Sequence, residues 1–269
     1  MLVIAHRGAN HEGLENSWQS FNAAVNMGCD RIELDVHLTK DNIPVVIHDD
    51  FLFRTSGVLK KVSDLTISEL KSIRLKNGEN IPLLVDVIEK LLPQIEINIE
   101  LKGNSASSAQ IVAPMIDTCG LKEKVIFSSF YGAPLAYLRD NYPHLTRACL
   151  WGDLSIDAKN LSNFAPQLML EKYETKILHP HVSQINQNLM EQAHLHGWII
   201  YAWDSLHGEE DVNKEKLWTM LKTYEINGLC TNYPRELMAW LKNATTFESA
   251  LVSQQHSNYT VLTQEVSMY

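Results

Sequence analysis

The sequence is short of several things, and each shortage excludes something. Of its 269 residues only four are cysteine (Cys29, Cys119, Cys149 and Cys230), and no two have the close spacing of a metal knuckle or a redox motif. A chain of this length buries a sizeable core without disulfides, so the four read as reduced, mostly buried thiols. Positive charge is scarce: 23 Lys and Arg against 32 Asp and Glu give a formal net charge of −9. That balance argues against a nucleic-acid partner, because phosphate backbones select basic surfaces. No apolar stretch approaches bilayer-spanning length, and no charged leader followed by an apolar run opens the chain. The expectation is a cytoplasmic protein with no integral membrane segment. No glycine-rich phosphate loop follows the first strand-like run, which counts against an open, doubly wound sheet.

What the sequence does contain is alternation. Short apolar runs recur between helical patterns: "LVIAH" (Leu2–His6), "RIELDV" (Arg31–Val36), "IPVVIHDD" (Ile43–Asp50), "IEINIELK" (Ile95–Lys102), "KVIFSSF", "TRACLW", "QLML", "KIL", "WIIYAW" and "GLCT". Helical spacing is seen in Trp18, Phe21, Ala24 and Val25, with Gly28 placed to stop that helix, and in "IPLLVDVIEKLL". Further helices are expected near Ser107–Cys119, Pro134–Asn141, Asn186–His196, Glu210–Tyr224 and Pro234–Leu241. The order predicts an α/β protein, a single-domain (β/α)8 TIM-type barrel; the strand candidates exceed eight by one or two. The barrel is expected over residues 1–242. Residues 243–269, rich in Ser, Thr and Gln, read as a polar C-terminal tail or a short appended element.

Side chains alternate across a strand, so positions two apart share a face. In "RIELDVH" one face carries Ile32, Leu34 and Val36, and the other Arg31, Glu33, Asp35 and His37. "IEINIELK" repeats the division: Ile95, Ile97, Ile99 and Leu101 against Glu96, Asn98, Glu100 and Lys102. Two amphipathic strands of an antiparallel sheet with one wet face could read the same way, but nothing nearby looks like a tight hairpin. In a barrel the apolar face packs on the helices and the charged face points to the axis. Glu33, Asp35, Glu100 and Lys102 come late in their strands, at the end where such barrels do their chemistry. Three converging carboxylates repel one another, and a hard divalent cation resolves that repulsion. Oxygen-only ligation suits Mg²⁺ or Ca²⁺ better than Zn²⁺.

Two histidines, His6 and His48, fall near strand ends. Imidazole can accept or donate a proton near neutral pH, so a pair flanking a reacting centre supplies a general base and a general acid. Arg7 adds a planar fork for anionic oxygens and Lys102 a compact charge. A cation, two imidazoles, an Arg and a Lys together point to a phosphate ester.

The segments "AHRG", "LENS", "IELDVHLTKDNIPVVIHDDFLFRTSG", "IELK", "SSF", "YAW" and "GLCTNYP" in combination make the chain resemble the glycerophosphodiester phosphodiesterase family from Ile4 to about Tyr233. The resemblance implies a β/α barrel and divalent-metal hydrolysis of glycerophosphodiesters to glycerol 3-phosphate and an alcohol, in lipid and glycerol metabolism. It implies His6 and His48 as the acid/base pair and Glu33, Asp35 and Glu100 as ligands of one divalent cation, Mg²⁺ or Ca²⁺. Arg7 and Lys102 match phosphate-contacting groups, and Phe130 and Trp203 match aromatics lining the glycerol end of the substrate. Glu15 and Asn16 match a segment that braces the first loop. The partner implied is a small-molecule glycerophosphodiester; oligomeric state stays open, as does which histidine is the acid.

The chain departs from the family pattern at Leu14 for the usual Pro, Ser17 for Thr, Asn42 for Gly, Asp204 for Thr and Asn232 for Asp. Three other readings remain open. Lysophospholipids could be cleaved in a lysophospholipase D manner on the same barrel. The barrel could be a catalytically silent glycerophosphodiester-binding protein. The His-x-His pairs 179/181 and 194/196 could serve a zinc-dependent amidohydrolase-like site. His11, His37, His144, His207 and His256 read as surface or packing residues.

Overall fold

The computed structural model describes residues 1–152, 159–204 and 214–244. Among these residues nine strands form: β1 (Leu2–Ala5), β2 (Arg31–Leu38), β3 (Pro44–Val46), β4 (Glu96–Leu101), β5 (Val125–Ser129), β6 (Arg147–Trp151), β7 (Ile177–Pro180), β8 (Ile199–Trp203) and β9 (Gly228–Thr231). Eight of them pair in parallel in the cyclic order β1-β2-β4-β5-β6-β7-β8-β9. The ring closes where Leu2 lies beside Gly228 and Ile4 beside Arg31. Helices lie between successive barrel strands, including Trp18–Met27, Leu84–Leu91, Ser107–Thr118, Gly132–Asn141, Gln187–His196 and Lys214–Thr223. The expected (β/α)8 barrel is therefore present. The barrel unit runs from Met1 to Pro234; of the unit from Arg235 onward, residues 235–244 are described and are helical. The Ser/Thr/Gln-rich stretch lies, from residue 245 on, outside the described residues.

The strand alternation holds in three dimensions. Ile32, Leu34, Val36, Ile97, Ile99 and Leu101 are fully buried on the helix side. At roughly 1.5–3 kcal/mol for each such side chain, this layer is a major part of what closes the barrel. On the axial side Ile126, Ala148 and Ile177 pack with Ile199 and Tyr201 into an apolar plug. The register places Ile126 beside Asn98 and Ala148 beside Ser128, so the plug is the floor on which the polar side chains of the same faces rest.

Two strand expectations fail. "QLML" is part of the helix Pro166–Lys172, where Pro166 occupies the first turn and Met169 and Leu170 are buried. A run of three apolar residues has no period long enough to separate strand from helix. "IPVVIHDD" does contain a strand, β3, but it is no part of the barrel: it pairs antiparallel with β2, Val36 opposite Val46. The two are joined by a tight turn in which the Thr39 N–H donates to the Ile43 carbonyl at 3.1 Å, and Asn42 takes φ 62°. Asn tolerates this left-handed conformation, so a hairpin the sequence did not announce turns on Asn42, where the family resemblance would have Gly.

Beyond β3 the chain builds a small lobe before the helix Leu84–Leu91. Its own apolar cluster consists of Val45, Ile47, Leu52, Val62, Leu65, Leu70, Leu75 and Ile81. Leu14, the residue that replaces proline, packs against that cluster and so ties the first loop to the lobe. Cys29, Cys149 and Cys230 are buried, Cys119 is half-buried, and all four are free thiols. Among the described residues no helix is long and apolar enough to cross a membrane.

Candidate active site

β1 ends at Ala5, and the next three residues turn sharply inward. Arg7 takes φ 55° and Gly8 φ 79°. A side chain at Gly8 would be strained by that backbone and would also sit 2.5 Å from the Ser20 hydroxyl, so glycine is required on two counts. The turn aims the Arg7 backbone N–H at Glu33 Oε2, 3.0 Å away. It also sends the Arg7 guanidinium between Glu15, at 2.9 Å, and Asp35, at 3.5 Å. Ser17 then caps the helix Trp18–Met27, with Ser20 completing a reciprocal capping box, so replacing Thr by Ser leaves the cap intact.

β2 and β4 run side by side with Glu33 beside Asn98 and Asp35 beside Glu100. Carboxylate oxygens of Glu33, Asp35 and Glu100 all lie within 4.8 Å of one another, and all three residues are buried. Lys102 Nζ reaches Asp35 at 2.9 Å and Glu100 at 2.6 Å. Asn16, buried at φ 51°, donates its side-chain amide to Asp35 Oδ2 at 2.8 Å. Burial, reinforced by the Asp35 and Glu100 charges, pushes the Glu33 carboxyl well above the usual range. Burial also moves Glu100 up, to about 7, against the pull of Lys102. For Asp35 burial acts in the same direction, but Lys102 and Arg7 outweigh it and hold the group well below its ordinary value.

Three carboxylates against two cationic side chains leave one negative charge over. One divalent cation turns this into one positive charge, the complement of a singly charged phosphodiester. The donor set is all oxygen and sits at the C-terminal end of parallel strands, so the residues fit a hard cation such as Mg²⁺ or Ca²⁺.

The two histidines flank this cluster. His6 Nδ1 lies 2.7 Å from Asn232 Oδ1, which also accepts from the Asn10 amide, and His6 Nε2 lies 4.0 Å from Glu33 Oε2. Because Asn232 Oδ1 accepts from two sides, the His6 hydrogen is on Nδ1 and Nε2 faces the carboxylates. Burial, with Arg7 adding to it, lowers the His6 pKa to about 3. His48 follows β3, outside the barrel. Its Nδ1 lies 2.6 Å from Asp49 Oδ1, and its backbone carbonyl meets His37 Nε2 at 2.9 Å. His37 is therefore no surface residue: it lines the same cavity and holds the backbone of His48.

Asp49 is gripped in turn by Arg54, with Arg54 Nε 2.7 Å from Oδ2 and Nη2 3.0 Å from Oδ1. Although burial acts the other way, the hydrogen bonds from Arg54 and His48 bring Asp49 down to about 2. A carboxyl whose folded value lies below its unfolded one stabilises the fold above the unfolded value and loses that contribution as pH falls through the folded one. Thermal midpoints are therefore expected to drop between about pH 4 and pH 2, and Asp49→Asn to flatten that part of the profile. Superimposable wild-type and variant profiles below pH 4 would contradict this.

His6, Arg7, Glu33, His37, His48, Asp49, Glu100 and Lys102 open into one cavity of about 590 Å³, lined also by Ser128, Phe130, Tyr131, His179, Trp203 and Asp204. Phe130 and Trp203 meet edge to face, ring centres 5.7 Å apart, and form one apolar wall. Every site residue expected from the sequence except the bracing pair Glu15 and Asn16 lines the cavity or belongs to the carboxylate cluster, and the bracing pair touches Arg7 and Asp35 from behind. The His-x-His pairs do not assemble a metal site. His179 is buried in the cavity wall against Tyr201, and 194 and 196 ride the helix Gln187–His196. Among the described residues the acidic trio is the cluster with ligand spacing. Sequence reasoning missed Asp49, Arg54 and Asn10; their signal was only nearness in sequence to His48 and to "HRG", with no periodicity to mark them.

The sequence profile of the Glycerophosphoryl diester phosphodiesterase family matches residues 6–236. A glycerophosphodiester phosphodiesterase of Caldanaerobacter subterraneus subsp. tengcongensis is 31% identical over 248 residues, covering 88% of this chain and 96% of its own. Human lysophospholipase D GDPD1 is 40% identical over 115 residues, 38% of this chain and 36% of its own. Among solved structures, an Oleispira antarctica phosphodiesterase in complex with sn-glycerol-3-phosphate shares the fold with a TM-score of 0.77 at 23% identity, over 90% of this chain and 97% of that one.

Proposed function

The chain belongs to the glycerophosphoryl diester phosphodiesterase family, and on that premise we propose that it hydrolyses glycerophosphodiesters, such as glycerophosphocholine or glycerophosphoethanolamine, to glycerol 3-phosphate and an alcohol. The observation that carries this reading is the meeting of Glu33, Asp35 and Glu100 at the barrel mouth, flanked by His6 and His48 in one cavity. The three carboxylates would hold one divalent cation, Mg²⁺ or Ca²⁺, which when bound supplies charge stabilisation to the phosphoryl group.

The side chains do the rest. The Arg7 guanidinium and the Lys102 ammonium stand beside the carboxylates, where they stabilise negative charge growing on the phosphoryl oxygens. Both imidazoles have Nδ1 engaged, so each exchanges its proton at Nε2. His6 backs onto a neutral amide and its pKa is held low, so it is unprotonated near neutral pH; it is the group suited to take the proton of the nucleophile. His48 backs onto a carboxylate, Asp49, which stabilises an imidazolium; it is the group suited to protonate the departing alkoxide. The Phe130–Trp203 wall gives the carbon skeleton of the glycerol an apolar surface to lie on. In this reading the protein works in the cytoplasm on small soluble diesters.

A second reading keeps the chemistry and changes the substrate to a lysophospholipid. The match to a lysophospholipase D favours it, as do the exposed Phe51 and Phe53 on the segment after His48. One assay separates them. Release of the head-group alcohol is measured over a panel of glycerophosphodiesters, with Mg²⁺ and Ca²⁺ compared and lysophosphatidylcholine alongside, whose cleavage would free choline and leave an acylated glycerol phosphate. Faster turnover of glycerophosphocholine is the expected result. Turnover of lysophosphatidylcholine alone would move the assignment to the second reading, and silence on the whole panel would reduce the barrel to a binding protein.

A further inference from the structure

Of the groups around the carboxylate cluster, His48 is the one that no barrel strand delivers. His6 and Arg7 follow β1, Glu33 and Asp35 lie in β2, and Glu100 and Lys102 lie in or just after β4. His48 sits past β3, on the way into the small lobe, and its placement has to come from elsewhere. The main-chain bond from Ile47 N–H to the Asp35 carbonyl, 3.0 Å, and the bond between His37 and the His48 carbonyl fix its backbone. The direction of the ring is set by Asp49, and Asp49 is set by Arg54.

We infer that Arg54 is a positioning residue for the reaction: by gripping Asp49 and Glu15 together it fixes the imidazole of His48 relative to Arg7 across the cavity mouth. This rests on the proposed role of His48. Arg54 makes two forked contacts. One takes both oxygens of Asp49, through Nε at 2.7 Å and Nη2 at 3.0 Å. The other takes both oxygens of Glu15, through Nη2 at 2.7 Å and through Nη1. Each acid has a second partner inside the site: Asp49 Oδ1 meets His48 Nδ1 at 2.6 Å, and Glu15 Oε1 meets Arg7 Nη1 at 2.9 Å. The result is an unbroken row of alternating charge, Arg7–Glu15–Arg54–Asp49–His48, joining the loop that follows β1 to the lobe that follows β3. Beneath the row, Leu14 packs on the lobe's apolar cluster, so the two segments are already in register before the ions meet.

The geometry calls for arginine. A planar guanidinium presents its donors as two fixed forks, whereas a lysine ammonium is a point charge that cannot hold both acids flat and square. A contribution to stability alone explains the row poorly. The Arg54 side chain is 47% exposed, and ion pairs at such exposure add little to folding. Position matters far more to turnover, because a misplacement of about 1 Å can cost about 100-fold.

The test is a double-variant cycle in the full chain, with kcat, KM and the thermal midpoint measured on glycerophosphocholine with Mg²⁺. Arg54→Met is expected to lower kcat by about 10- to 100-fold with KM nearly unchanged and only a small drop in the midpoint. Arg54→Lys is expected to recover only part of the loss. On a His48→Ala background the same Arg54→Met change is expected to cost less than about twofold, because the group being positioned is gone. Equal losses on both backgrounds overturn the inference, as does wild-type kcat in Arg54→Met. Should Arg54→Met fail to fold, Asp49→Asn in the same cycle is expected to show the same coupling to His48, and additivity there overturns the inference equally. Wild-type protein inactive on every glycerophosphodiester would remove the substrate reading and this inference with it, whereas active protein with additive losses removes the inference alone.

Discussion

Excess chelator is expected to bring glycerophosphocholine hydrolysis down to background, and Mg²⁺ or Ca²⁺ added back is expected to restore it. The reason lies in what the site does without an ion. Glu33, Asp35 and Glu100 are buried with their oxygens within 4.8 Å, and Arg7 and Lys102 neutralise only two of the three charges. Burial, with the neighbouring carboxylates adding to it, pushes the Glu33 and Glu100 carboxyls upward, Glu100 to about 7, so without an ion protons compete for the oxygens that would hold it. Charge stabilisation by a bound cation is worth several kcal/mol, so its removal corresponds to a rate loss of at least about 10³-fold. A readout independent of turnover follows from binding linkage: Mg²⁺ or Ca²⁺ should raise the thermal midpoint of the wild type and leave that of Glu100→Gln nearly unmoved. Full activity in excess chelator, or equal midpoint shifts in both proteins, would count decisively against the cation.

How much of this could be read from the sequence follows from which forces hold each residue. Glu33, Asp35, Glu100 and Lys102 were legible because a strand's period of two, with every second residue apolar, fixes which face they share. Once two parallel strands pair in register, Asp35 has to lie beside Glu100. His6 and Arg7 were legible because a short apolar run stops at a glycine that the turn needs. His48 was found for a reason that proved incomplete. "VVIH" reads as a strand ending in an imidazole, yet the strand is an antiparallel outlier and the histidine lies beyond it. The family resemblance placed His48 where propensity alone would have put it on a barrel strand.

Arg54, Asp49 and His37 were illegible because ion pairs and loop hydrogen bonds leave no period in the sequence. Arg54 and Glu15 are 39 positions apart, and only the folded lobe brings them together. The mistaken strand "QLML" has the same origin in reverse: three apolar residues satisfy either period, and the proline before the segment was the better guide. Asn232 was noted as a lost charge. Its meaning came only from the structure, where it faces His6 and leaves the first imidazole with a neutral partner while the second keeps a carboxylate.

That asymmetry leads to the other large expected effect. His6→Ala and His48→Ala should each lower kcat on glycerophosphocholine by about 10²- to 10⁴-fold while the proteins stay folded, since each removes one proton transfer and neither ring belongs to the apolar core. The two losses should part company when the leaving group is changed. A p-nitrophenyl ester of glycerol 3-phosphate releases a phenolate that needs no proton, so a residue that acts only as general acid becomes dispensable. His48→Ala should then recover most of its rate on the activated ester, whereas His6→Ala should remain impaired on both substrates, because the nucleophile must lose its proton in either case. Recovery by His6→Ala and not by His48→Ala would reverse the two roles. Near-native turnover by either variant on glycerophosphocholine would remove that histidine from the reaction altogether. The partners behind the rings say which outcome to expect: an imidazole set against Asp49 is stabilised while it carries a proton to give, and one set against the Asn232 amide stays neutral and free to accept.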